Sequence, residues 1–223
     1  MASVSVEGAG RSRSGALLLA SVAEHGSASH LYAGAEQMLR GPEAARNLAD
    51  AIHFLAALHG RHPGIVDHAA TRNVEPAPRA WLEEAAAAMA AERTYLTRLA
   101  VAAGAIPSTP GGAGSEAAIL AQRAALATLA LSDRRGCALG AALAFAADWE
   151  AVRAVLDAAA ARFGVDTPQT RLPGRESILA AADEAGRDPA TQRALLFGAE
   201  QLALQHRGLW DLLEARQQAR REF

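Results

Sequence analysis

The chain has 223 residues, a hydrophobic fraction of 51%, only 4% aromatics and a formal net charge of -2, which leaves no overall positive field to hold nucleic acid phosphates or an anionic membrane surface. Every basic residue is arginine, so Schiff-base chemistry, a lysine general base and a phosphate-loop lysine are excluded. Cys137 is the only cysteine, which excludes an intramolecular disulfide and any multi-cysteine zinc or iron–sulfur centre, and a reducing compartment is the expectation.

Alanine supplies much of the apolar content and β-branched residues are scarce, so the chain reads as helix rather than strand. Arginine-only usage beside this much alanine is what a GC-rich bacterial coding sequence produces and carries no functional weight. Residues 1–14 are small, polar and Gly/Ser-rich and are expected to form a flexible N-terminal segment, with a single helical domain over 15–223. Arg11 and Arg13 precede the short apolar stretch Ala16–Ala20, a faint likeness to a secretory leader. Glu7 argues against it, no run approaches the ~18 apolar residues of a membrane span, and the cytoplasm is expected.

Helical pattern begins near Gly15 and runs, with a break around Gly26-Ser27, to a stop at Gly41-Pro42. A helix over about Glu43 to Leu58 or His59 carries the stripe Leu48, Ile52, Leu55 and His59. Residues 62–78 read as a proline-marked connector, and a long helix follows from Pro78 to about Ala103. The segment 106–114, with two prolines and three glycines, reads as a flexible loop that could act as a lid. Ser115 opens the next helix, to about Leu131, and Ser132-Asp133 precedes the longest one, from about Arg134 to Phe163. Gly136 and Gly140 near its start are expected to permit close approach of a neighbour. A connector to Gly174, a short helix over about 176–184 and a final helix capped by Asp188-Pro189 and reaching about Arg220 complete the chain. The expected architecture is an all-α, mainly up-and-down bundle of six to seven helices. The similarity between Leu31–Met38 and Leu196–Leu202 reduces to Gly-Ala-Glu-Gln and does not establish a repeat.

A charged residue on an apolar stripe must be paired, metal-bound or neutralised. Glu92 lies mid-stripe with Trp81, Ala85, Ala88, Leu96 and Leu99; Asp148 follows Ala141 and Phe145; His206 lies between Leu202 and Leu209, with Glu200 at the stripe's edge. If Glu92, Asp148, Glu200 and His206 converge, they would hold iron or manganese in the manner of carboxylate bundles. No Glu-x-x-His occurs, so the resemblance to ferritin-like bundles is one of architecture alone. The competing expectation is buried ion pairs with arginines such as Arg98, Arg123 or Arg153. A second polar cluster, His53, His59, His62 and His68 with Asp67, reads either as metal ligands or as histidines serving carbonyls at a helix end, and the latter is favoured. Cys137 and the three tryptophans Trp81, Trp149 and Trp210 read as core.

Two function classes follow. One is a binding or interaction module, expected as a homodimer because alanine faces are apolar on more than one side, with a cavity for a small ligand. The other is a metal-dependent oxidative enzyme using the four residues above. The absence of a basic helix-turn-helix ranks a transcription regulator well behind both.

Overall fold

A computed structural model describes residues 13–73 and 76–222. Of the segment expected to be loose, residues 1–12 lie outside the described part. The described residues form nine α-helices and no strand: α1 (Ser14–His25), α2 (Glu36–Leu39), α3 (Ala44–His59), α4 (Ile65–Arg72), α5 (Pro76–Ala103), α6 (Gly112–Ala130), α7 (Cys137–Phe163), α8 (Arg175–Ala185) and α9 (Pro189–Arg221), with a 3₁₀ turn over Ser27–Ser29. Among the described residues no helix is long and apolar enough to cross a membrane.

The fold is the expected all-α bundle, with more helices than expected for a local reason. The break at Gly26-Ser27 is present, and beyond it the expected continuous helix is a set of turns followed by the four-residue α2. The connector 62–78 contains α4, whose Ile65, Val66 and Ala69 are buried while the Asp67 carboxylate accepts from the Gly64 N–H at 2.7 Å. Eight residues are too few for helical periodicity to stand out from a loop. The Gly-Ala-Glu-Gln stretches differ too: the first straddles the start of α2 and the second lies inside α9, which argues against a duplication.

The bundle is organised around α7. Every residue from Leu139 to Ala146 is buried, so this helix is covered on all sides, and its closest partner is α9. Glycine makes that approach: a Cβ at Gly140 would lie 1.9 Å from the Leu195 carbonyl oxygen, and one at Gly198 would lie 2.1 Å from that of Cys137. The tryptophans fill the space that alanine leaves, with Trp149 at 1% exposure and Trp210 at 0%.

The loop before α6 is tied down rather than loose. Arg216 donates to the Pro107 carbonyl at 3.1 Å, and both Arg216 and Arg220 donate to Thr109 Oγ1, at 3.0 and 2.8 Å. The same arginines hold the buried Asp50, and Arg220 also donates to Asn47 Oδ1 at 2.7 Å. A loop anchored at its middle by two guanidiniums is a poor lid.

Candidate functional site

Four carboxylates are buried among the described residues; Asp67 pairs with Arg93 beside α4, and the other three end differently. Glu92, from α5, accepts two hydrogen bonds from Arg153 Nη1, at 2.8 and 3.0 Å, and a third from Trp149 Nε1 at 3.0 Å. Arg153 is saturated in turn, donating to Asp157 Oδ1 and the Pro168 carbonyl, with its guanidinium 4.6 Å from the Tyr95 ring. Burial, above all, pushes the Tyr95 phenol up to about 12, so it stays a neutral donor to Asp157 at 2.9 Å. Asp50, on α3, closes on Arg216 and Arg220 as described. Each of these carboxylates has its own guanidinium, the arrangement expected of structural ion pairs.

Asp148 has none. Its α7 position aims the carboxylate at the turn after α1, where Ser27 donates its N–H to Oδ1 at 2.7 Å and its hydroxyl to Oδ2. Gly26 makes room: a Cβ there would lie 2.3 Å from Asp148 Oδ1. On the other side, His206 of α9 places Nδ1 2.6 Å from Asp148 Oδ2, and its Nε2 lies 3.1 Å from Nε2 of His59, the last residue of α3. All four side chains are buried. Phe145 and Trp149 stack at 4.8 Å and meet the His59 ring edge-on at 5.0 and 5.7 Å, keeping water from the middle of the chain. Burial, followed by the adjacent His206, holds the His59 imidazole well below its ordinary pKa, so it is neutral at pH 7.

At the far end of this chain of groups, His59 is one of the residues lining a pocket of ≈150 Å³ between α3, α4, α5, α6 and α7, with Arg61, His68, Arg93 and Arg123 also in its lining and no carboxylate. Arg93 is committed to Asp67 at 2.9 Å. Arg61 and Arg123 make no ion pair or hydrogen bond among the described residues. A larger cleft of ≈720 Å³ runs along α7 beneath residues 167–174, but Arg153 on its wall is already fully engaged.

The structure thus brings together Asp148 and His206 and adds His59 from the other predicted cluster. It does not bring in the remaining two members of the proposed metal centre. Glu92 is occupied by Arg153, and Glu200 is exposed on α9. Among the described residues no group of three or more His, Cys, Asp or Glu side chains is arranged to hold a metal ion. The histidine cluster likewise disperses: His53 meets the Gly104 carbonyl at 2.9 Å just beyond α5, and His62 lies exposed 3.4 Å from Asp67. His59 and His68 line one pocket. Sequence reading missed Asp50 and Arg216, although Asn47, Asp50, Ala51 and Phe54 form a buried stripe on α3 at helical spacing.

Fold and site together define an all-α bundle protein with a buried carboxylate–imidazole chain ending at an arginine-walled pocket. The chain belongs to the Family of unknown function (DUF6975), whose profile matches residues 22–221. No curated protein and no solved structure matches it.

Proposed function

We propose that the domain is a small-molecule-binding protein whose ligand is a small oxyanion seated in the pocket that His59 helps to line. The observation that carries this reading is the pairing state of the pocket's arginines. The half-buried Arg123 and the exposed Arg61 line the same pocket as the buried, neutral His59 imidazole, and neither makes an ion pair among the described residues. Guanidinium groups left unmatched at a concave site provide the planar donors that phosphate and carboxylate groups accept. The pocket volume suits an ion or a compact acid rather than a cofactor.

Titration calorimetry with inorganic phosphate tests the proposal. Binding is expected in the native chain and is expected to weaken about tenfold in Arg123→Ala, since one charge-assisted hydrogen bond is lost. The half-buried arginine holds no other partner, so the variant should keep its melting temperature within a degree or two. Absence of heat with phosphate and with small carboxylates alike would remove the reading.

The homodimer expected from the sequence is kept as a proposal. The adjacent helices α6 and α9 leave Leu120 and Leu204 exposed, at 58% and 38%, and a second copy of the chain would cover them. Sedimentation showing only monomer at micromolar concentration would remove it.

A further inference from the structure

The lining of the pocket divides by burial. Its buried part is hydrocarbon apart from the His59 ring: Ile65, Val66, Met89, Leu126, Ala130 and Phe145 are each at most 8% exposed. Its charged part lies nearer to solvent, with Arg61 exposed and Arg123 and His68 half-buried, while Arg93 is held by Asp67. A bare inorganic anion uses only the second part. Its oxygens find no donor among the six apolar side chains, and nothing covers those side chains in return. An apolar cavity of about 150 Å³ accommodates one benzene ring, so the ≈150 Å³ here gives room for a hydrocarbon body of about six carbons.

Resting on the oxyanion reading above, we infer that the pocket's ligand is a small apolar carboxylic acid. Its carboxylate meets Arg123 and Arg61, and its short aliphatic or aromatic body lies against Met89, Leu126 and Phe145. A carboxylate matches a guanidinium as a planar, two-point partner. Each methylene taken out of water contributes up to about a fourfold gain in affinity, which inorganic phosphate cannot draw on. The arginines thus set the sign of the ligand, and the buried hydrocarbon lining sets its length.

The test is a homologous series of straight-chain acids, acetate through octanoate, with inorganic phosphate alongside, by calorimetry on the full chain at pH 7.5. Affinity should rise about two- to fourfold per added methylene and level off near about six carbons, where the space is full. A flat series beside measurable phosphate binding overturns the inference and leaves the oxyanion site standing; binding of neither phosphate nor any acid removes the site itself. A rise that continues unbroken to octanoate, as on any oily surface, also overturns the inference. Two variants place the tail. Met89→Ala enlarges the apolar part, so its series should level off at a longer acid than in the native chain, and an unchanged break in the folded variant overturns the inference. If that variant does not fold, Arg123→Ala decides, because the substituted residue is half-buried and without a partner. Hexanoate should weaken by about the same tenfold factor as phosphate, with the gain per methylene retained. Hexanoate unchanged while phosphate weakens would put the acid elsewhere and overturn the inference alone.

Discussion

Glu92 and Asp148 are the two acids that lie on the buried stripes of their own long helices, α5 and α7, and their surroundings differ in one respect. Around Glu92 every donor and acceptor is matched within the protein: Arg153, Trp149, Asp157 and the Pro168 carbonyl form a closed set. Around Asp148 the contacts pass through His206 to His59, a residue that lines the pocket. The lesson is that burial of a charge does not mark a site; a polar chain that reaches a pocket is the better marker.

The contrast can be broken most forcefully at Glu92. Glu92→Ala leaves the Arg153 guanidinium buried beside an empty space, and a loss of about 3–5 kcal/mol in unfolding free energy is expected from denaturant titration. Phosphate binding by whatever fraction folds should be unchanged. Weakened binding would mean that the two networks are not separate.

Gly26→Ala attacks the other network at its root. The new methyl would sit 2.3 Å from Asp148 Oδ1 and 2.5 Å from the Val22 carbonyl oxygen, so the turn or the carboxylate must move. The expected cost is roughly 1–3 kcal/mol. Here phosphate binding should weaken as well, which distinguishes the variant from an ordinary packing defect. Loss of stability with binding intact would sever the link between Ser27, Asp148 and the pocket.

The third measurement is the pH dependence of stability. His59 in the folded chain has a pKa well below its ordinary value of 6.5, so the unfolded chain binds the proton first as pH falls. Stability contributed by the neutral folded state is therefore fully present above about pH 6.5 and is lost below it, by at most about 1.4 kcal/mol per pH unit for this one group. His59→Gln should flatten that part of the profile between about pH 6.5 and 5. A profile identical to that of the native chain would show that His59 is already protonated or solvated in the fold.

Much of this site was legible in one dimension. Asp148, His206 and Glu92 stand out because helical spacing places each among alanines, leucines and aromatics, and His59 falls on the stripe of Leu48, Ile52 and Leu55. Their partners were not legible. Asp148 and His206 are 58 residues apart, and His206 and His59 are 147 apart. A stripe tells which way a residue faces but not what faces it, and so Glu200, at the edge of its stripe, was grouped with residues that it never meets.

The sequence by itself determined the local features: an alanine-rich chain without strand, stops at glycine and proline, three tryptophans in the core, and the acids that had to be buried. Helix formation depends on residues within a few positions of each other, and composition and period suffice to read it. Only the tertiary structure decided that Arg153 closes on Glu92 while two histidines continue from Asp148. That choice depends on how closely α7 and α9 approach through Gly140 and Gly198, and on the space beside Gly26 that admits a carboxylate. These are packing distances between segments far apart in the chain, which no local pattern encodes.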